Sequence, residues 1–394
     1  MTYPAFRLDL PSGMFAFLAS VSLSVARAAD PPAPAVLDVT RVLVLSNAEL
    51  VSMGGAGVAF ASGSVGMVLS PAAPANRRLE TIAPIVSSLV LVQARISADR
   101  DSGNLSEPID ADGRMFNVGL SGGYRNAAGG LLAVGAYYKA NDLWVGVTEG
   151  HACAAHALLN GRLTLGAGPR LLGMRVISDG GHHDYFGMGV ETGALLANWQ
   201  ETWNLAVTLR SGVTARPLDG PTAGIDAASL PPELIAGVGW SNHASVPEAS
   251  GGIPVRLVAD VVIDAPVTDG VALGKVLQGQ WVAGGDWYTV SPRVGAEVDV
   301  WRNRFRLRGG GYLEPSRTAL AGPRPHATGG FELRLFRVKA LNEHIKLDLA
   351  WQIGVDYAPR YFRGAFLGIN VWQEGQVGGN YQPPKPRSPG VEIQ

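Results

Sequence analysis

From about residue 80 onward the chain alternates: segments of roughly 8 to 14 residues switch between apolar and polar at every position, divided by Gly, Pro, Asn and Asp. A period of two puts successive side chains on opposite faces of an extended strand, so each segment has two faces of different chemistry. In 114–125, Phe116, Val118, Leu120 and Tyr124 share one face, while Asn117, Gly119, Ser121 and Arg125 share the other. The turn at 126–130 reverses the chain, and Leu132, Val134, Ala136 and Tyr138 continue the apolar row opposite Gly135, Tyr137 and Lys139. Similar segments occur at 161–177, 185–197, 202–213, 233–241, 253–264, 288–300, 303–313, 328–338, 345–357 and 361–373, with a weaker pair near 82–96 and 143–158. Together they predict about 14 strands.

Two architectures fit such a chain. One is a water-soluble sandwich or barrel with its apolar rows inside; the other is a membrane barrel with those rows toward lipid and the polar rows around a lumen. The charges bear on the choice. Across successive C-terminal segments the polar row carries Arg256 and Asp260, then Arg293, Glu297 and Asp299, then Arg306 and Arg308, then Glu332 and Arg334, then Lys346, Asp348 and Asp356. Acidic and basic residues face each other across antiparallel neighbours, which suits a connected ladder in a narrow interior. The complementary rows, such as Leu257, Val261 and Ile263, or Leu347, Leu349, Trp351 and Ile353, suit contact with acyl chains. Crossing hydrocarbon at a 45° tilt takes ~9–11 residues per strand, which most of these segments reach. Aromatic residues near strand ends, Trp144, Tyr185, Trp199, Trp203, Trp240, Trp287, Tyr312, Tyr357, Tyr361 and Trp372, suit interfacial girdles. Only 16% of residues are charged, well under the roughly 25% of a typical soluble domain. The fold expected is an all-β transmembrane antiparallel barrel.

The chain's N-terminus reads as an export signal. Arg7 gives a positive start, 14–25 an apolar stretch, and Ala26-Arg27-Ala28 a small-x-small pattern, so residues 1–28 are expected to be removed. No segment has 18 consecutive apolar residues, so helical membrane spans are not expected. A net charge of −1 argues against a nucleic-acid partner, and the lone Cys153, with His151 and His156 nearby, offers no zinc spacing. No metal and no cofactor are expected. The chain has neither GxSxG nor HExxH, and His182-His183 sit in a Gly/Asp-rich stretch, so no enzyme is expected.

Residues 29–79 break the alternation. They hold Pro31-Pro32-Ala33-Pro34, then Met53-Gly54-Gly55-Ala56-Gly57-Val58-Ala59, then Ser70-Pro71-Ala72. A run of small residues lets backbone lie against backbone, as a segment folded inside a lumen requires; a flexible leader is the alternative. The stretch 45–59 with Ser70-Pro71-Ala72 resembles the N-terminal hatch of the FadL family, where a Gly-rich run precedes an Asn-Pro-Ala turn; Ser70 replaces that Asn. Residues 187–213, Leu230-Pro231-Pro232-Glu233, 290–297 and 307–315 are similar to later strands of the family, in order.

The resemblance implies an outer-membrane channel that takes up hydrophobic molecules, such as long-chain fatty acids or aromatic hydrocarbons, and releases them sideways through the wall. It implies a hatch at 29–79, with Met53, Gly54, Gly55, Ala56, Gly57, Ser70 and Pro71 at its centre, and a barrel at 80–373. Residues 374–394, rich in Pro, read as a periplasmic tail. For a ligand with a carboxylate, Arg175, Arg210 and Arg308 are candidate inward cations, each with the alternative of joining the charge ladder. Within 161–177 the apolar parity shifts from Leu163, Leu165 and Ala167 to Leu172, Met174 and Val176 around Pro169, which predicts a strand bulge and a candidate portal there. The expected partners are a hydrophobic ligand, outer-membrane lipid and lipopolysaccharide, and a monomer is expected. A general porin and a secretion-accessory barrel of the PorV-like kind remain the alternatives.

Overall fold

The computed structural model describes residues 35–40, 48–76, 86–99, 111–124, 126–140, 143–178, 181–198, 202–219, 224–242, 252–277, 280–301, 304–319, 322–340, 345–358 and 362–375. Side chains are described for these except 86–99, 111–115, 124, 140, 336–340, 345–349 and 362–375. The expectations for the export signal, the Pro-rich leader at 31–34 and the tail beyond 375 lie outside the described residues.

The strands in chain order are β1 (Ala35–Asp38), β2 (Val86–Asp99), β3 (Ala111–Tyr124), β4 (Ala127–Ala140), β5 (Leu143–Leu158), β6 (Leu163–Ser178), β7 (Gly181–Ala197), β8 (Trp203–Arg210), β9 (Val213–Pro217), β10 (Ile225–Leu230), β11 (Glu233–Ser241), β12 (Val255–Asp264), β13 (Gly270–Ala272), β14 (Thr289–Trp301), β15 (Phe305–Glu314), β16 (Arg324–Ala340), β17 (Ile345–Ala358) and β18 (Phe362–Gly375). Neighbours β2 to β8 pair antiparallel in sequence; β8 pairs with β11, then β12, β14, β15, β16, β17 and β18 follow, and β18 pairs back onto β2. The result is a closed antiparallel ring of fourteen strands, with β1, β9, β10 and β13 outside its circuit. Closure removes free sheet edges. Closely spaced strand ends such as Trp301 and Phe305 lie at one end of the ring; the widely spaced ends Arg210 and Glu233, and Asp264 and Thr289, lie at the other, the long-loop end.

The burial pattern is inside-out relative to a soluble protein. Along β14, Arg293 and Glu297 are buried, Glu297 at 0% exposure, whereas Val294 is 56% exposed. On β15 Arg306 and Arg308 are buried between exposed Leu307 and half-buried Phe305. In a water-soluble sandwich these apolar rows would be the core; here they form the outer surface. Trp144, Trp203 and Tyr357 are exposed on that surface as expected. Tyr185 and Tyr312 depart from the girdle expectation. Tyr185 is buried and donates to the Ile225 carbonyl at 2.9 Å, and Tyr312 stacks on His326 at 4.2 Å.

One sector does not obey the polar-inside rule. On β4 the inward row is Leu132, Val134 and Ala136, all buried, while Leu131 and Tyr137 point out. On β5 it is Val145 and Val147, and on β6 Leu172, Met174 and Val176. The expectation that the apolar row of 132–138 faces outward is therefore corrected: at 132–136, 145–147 and 172–176, the long-loop-end parts of β4 to β6, both rows are apolar and the interior is greasy, while Glu149, His151 and Arg170 line it further down.

At the long-loop end a hairpin leaves the ring. β9 continues β8 beyond Ser211-Gly212, with its pairing to β7 slipped by one residue, and β10 precedes β11 across Pro231-Pro232. β9 and β10 pair with each other, and β10 then pairs in parallel with β1, which pairs in parallel with β13. The hairpin buries Val213, Ala215, Ile225 and Leu230 in the same apolar cluster as Leu172, Met174 and Val176, so it folds inward over that sector.

Candidate functional site

Segment 48–76 runs through the ring as a plug. It contains α1 (Ala48–Ser52), α2 (Gly63–Gly66) and two single turns of tighter helix at Val58–Phe60 and Ala73–Ala75. Its contacts go around the interior: α1 meets β15 to β18, Val58–Phe60 meets β8 and β11, α2 meets β2 to β4, and Ala73–Ala75 meets β3 to β6. Val51, Val58, Met67 and Leu69 are fully or nearly buried, each stabilising the plug by roughly 1.5–3 kcal/mol through apolar area removed from water.

The small residues are there for space. Gly54 has φ +68°, and a Cβ on it would stand 2.6 Å from the Gly311 backbone; a Cβ on Gly310 would stand 2.4 Å from the Met53 carbonyl carbon. Across the lumen, a Cβ on Gly166 of β6 would meet the Pro71 carbonyl oxygen at 2.3 Å. Plug glycines and wall glycines therefore match, and backbone lies on backbone. All the residues expected at the hatch centre meet the wall or line the plug's own turns: Met53 and Ala56 pack with Val258, and Ser70 is buried with its hydroxyl accepting from the Ala72 amide at 3.3 Å.

Charged side chains of the wall hold the plug's backbone. Asp260 accepts from the Gly57 and Val58 amides at 2.6 and 2.9 Å, Arg293 donates to the Gly55 carbonyl at 3.3 Å, and Arg210 donates to the Val68 and Met67 carbonyls at 2.7 and 3.3 Å. Arg256 lies 4.6 Å over the Phe60 ring. Behind these contacts the expected ladder is present: Glu297 meets Arg256 at 3.2 Å and Arg308 at 2.9 Å, and Arg308 meets Glu332 at 2.8 Å and Glu49 of the plug at 3.5 Å. Charge-assisted bonds of this kind are directional, which fixes the plug's position as well as its presence.

The three cations singled out from the sequence fall in different places. Arg308 belongs to the ladder. Arg210 pairs with Glu191 at 3.0 Å and Glu233 at 2.7 Å while holding the plug. Arg175 is not inward: it is 58% exposed and pairs with Asp184 at 2.6 Å, on the outer wall near the long-loop rim. The reason is parity. The expected bulge at Pro169 is absent, since pairing of β5 with β6 keeps one register from Leu158↔Leu163 to Trp144↔Ile177, and pairing of β6 with β7 is continuous. With Thr164, Arg170 and Leu172 inward, odd positions such as 175 face out. The change of apolar parity around Pro169 is a change in what lines the interior, from a polar lower part to a greasy upper part.

Pro169 nevertheless marks a break. The β5–β6 ladder skips Ala152 and Cys153 opposite Gly168 and Pro169, where proline has no N–H to donate. Over this break the outer wall is concave. A groove of about 660 Å³ runs between Leu120 and Leu131 and is floored by Gly122, Gly129, Ala154 and Ala167 along with the break itself. On the inner side of the same wall lie Met67, whose sulfur is 2.5 Å from where a Cβ of Gly130 would be, and Ala75, which packs with Ala128 and Ala155.

A closed fourteen-stranded barrel with a polar-lined interior, an apolar exterior and an N-terminal plug has the fold of the FadL-type hydrophobic-compound channels. A solved FadL homologue from Pseudomonas aeruginosa superposes with a TM-score of 0.53 at 12% identity, over 84% of this chain and 99% of that one. The monoaromatic hydrocarbon channel CymD matches with a TM-score of 0.50 at 14% identity, over 85% of this chain and 98% of that one. The Pseudomonas putida toluene transporter TodX gives 0.46 at 12%, over 85% and 100%. No family model matches the sequence. No curated protein matches it either.

Proposed function

We propose that this chain is an outer-membrane channel for uptake of hydrophobic small molecules, with the long connections outside the cell and the short turns in the periplasm. The observation that carries the reading is the greasy sector of β4 to β6 inside an otherwise charged lumen, continuous from the inward-folded hairpin to the plug at Met67–Ala72. An apolar solute gains from such a lining and a sugar does not. Fold similarity to the FadL homologue and to the monoaromatic hydrocarbon channel CymD supports the same conclusion. A plug bound on all sides weighs against the general-porin alternative.

The ladder break at Ala152-Cys153 and Gly168-Pro169 is the proposed exit. It faces the plug on the inside and an apolar groove on the outside, so a solute leaving there passes from greasy lumen to lipid without meeting water. The test is uptake of a radiolabelled alkylbenzene and of a long-chain fatty acid into cells carrying the protein, with sucrose as control. Filling the groove from outside with Ala154→Trp is expected to lower hydrocarbon uptake severalfold at unchanged protein level. Sucrose flux exceeding hydrocarbon flux sinks the channel reading in favour of a porin. Transport of neither, with a protein partner retained through purification, favours the accessory barrel.

A further inference from the structure

The inward-folded hairpin β9–β10 and the plug are separate elements, yet one unbroken run of buried polar and charged side chains joins them. At the hairpin's base, where it leaves the ring at Ser211-Gly212 and Pro231-Pro232, Arg170 donates to the carbonyls of Ser211 and Pro231, both at 3.4 Å. The same guanidinium is bonded to Glu149. His151 lies between two carboxylates, its Nε2 3.4 Å from Glu149 and its Nδ1 3.0 Å from Glu191. Glu191 in turn bonds Arg210 at 3.0 Å, and Arg210 donates to the plug carbonyls of Met67 and Val68. The five side chains from Arg170 to Arg210 are all buried, and they come from β5, β6, β7 and β8.

We infer that this run couples the hairpin to the plug, with His151 as the link that positions the two carboxylates, so that lifting the hairpin loosens the plug's hold at Met67–Val68. The physical argument is that a buried ion pair cannot lose one partner without leaving the other unpaired. If the Ser211 and Pro231 carbonyls move away, Arg170 loses two acceptors and is drawn toward Glu149. Arg170 then competes with His151 for Glu149, and His151 stands between Glu149 and Glu191. Glu191 is also what orients Arg210 toward the plug. Each step is a direct contact, and the two ends terminate on backbone carbonyls at the hairpin's base and in the plug.

The inference rests on reading segment 48–76 as a movable plug, and the experiment separates the two. Full-length protein in lipid nanodiscs is followed by hydrogen exchange at the amides of 66–70. Tyr185→Phe removes the 2.9 Å bond to the Ile225 carbonyl and so loosens the hairpin without touching the charged run. In that variant, plug exchange is expected to rise about fivefold or more, the low end of ordinary coupling between sites. With His151→Ala added, the extra rise from Tyr185→Phe is expected to vanish, and His151→Gln, which keeps a donor, is expected to restore part of it. Should His151→Ala not assemble, Glu149→Gln interrupts the run one link away. An equal rise with and without His151 overturns the coupling while leaving a movable plug. Plug amides as slow as those of the barrel strands in every variant overturn both.

Discussion

Two parts of the interior wall hold the same plug by different physics. Along β11 to β17 the inward residues are Asp260, Arg293, Glu297, Arg308 and Glu332; Asp260, Arg293 and Arg308 bind the plug's first half through its amides, a carbonyl and Glu49, and Glu297 and Glu332 hold Arg308 from behind. Toward the long-loop end of β4 to β6 they are Val134, Val147, Leu172 and Met174, which share one cluster with Met67, Leu69 and Ala72 of the plug's second half. Directional bonds to buried charge cannot be replaced by an apolar solute, because removing them leaves charge uncompensated. Apolar contact is non-directional, so a hydrocarbon offers the greasy wall the same kind of contact that the plug does. The charged wall is therefore the anchored side, and the greasy wall is the side a ligand can compete for. Arg210 stands at the boundary, its charge paired with Glu191 and Glu233 and its free donors on Met67 and Val68.

Breaking the anchored side should have the largest effect. Glu297 is fully buried between Arg256 and Arg308, so Glu297→Ala leaves two guanidinium groups short of a partner. A loss of about 3–5 kcal/mol is expected, read as a lower midpoint in urea unfolding from lipid vesicles or as loss of the folded band on an unheated gel. A variant of unchanged stability contradicts the ladder. On the greasy side, Leu172→Ala removes a side chain at 0% exposure and is expected to cost about 2–5 kcal/mol through lost burial and a residual cavity. A cost near zero in the same unfolding measurement means that water, not hydrocarbon, fills that sector.

The division between these walls was only partly legible in the chain. Strand number and the facing charges of 255–260, 293–299 and 306–308 follow from period two, because one row is polar and the other apolar, so the charged rows of neighbouring strands share a face. The structure pairs Arg256 with Glu297 and Glu297 with Arg308 across adjacent strands, as that pattern requires. In β4 to β7 the pattern is silent about direction. Leu131, Tyr137, Ile177 and Phe186 outside are as apolar as Leu132, Val134, Val176 and Tyr185 inside. That ambiguity is what turned the change of lining around Pro169 into an expected bulge and Arg175 into an expected inward cation. The close approach of backbone to backbone at 53–57 was legible, because a run of small residues leaves room for it and the structure sets Met53 and Gly54 against Gly310 and Gly311. The hairpin was not: Ser211-Gly212 and Pro231-Pro232 mark strand ends in sequence, while their bending inward to meet β1 depends on residues far away in the chain.

The outer surface provides the two smaller tests of the same comparison, because both walls must be equally greasy on their outside if the ring spans a bilayer. Val294 lies on the outside of the charged wall, mid-strand and 56% exposed. Val294→Arg is expected to cost about 2–4 kcal/mol if that position is near the bilayer midplane, measured by urea unfolding in vesicles. In a water-soluble barrel the same change would be neutral, so a neutral result removes the membrane assignment.

The smallest effect is expected at Arg175, outside the greasy wall. Its guanidinium is exposed and paired with Asp184, so solvent screening leaves the pair little to contribute. Arg175→Ala is expected to leave folding unchanged and to leave the ratio of fatty-acid to alkylbenzene uptake as it is in the unaltered protein. Were that ratio to fall, the carboxylate would be meeting Arg175 on its way in, and the ligand's path would have to begin on the outer face of β6 rather than beneath the hairpin.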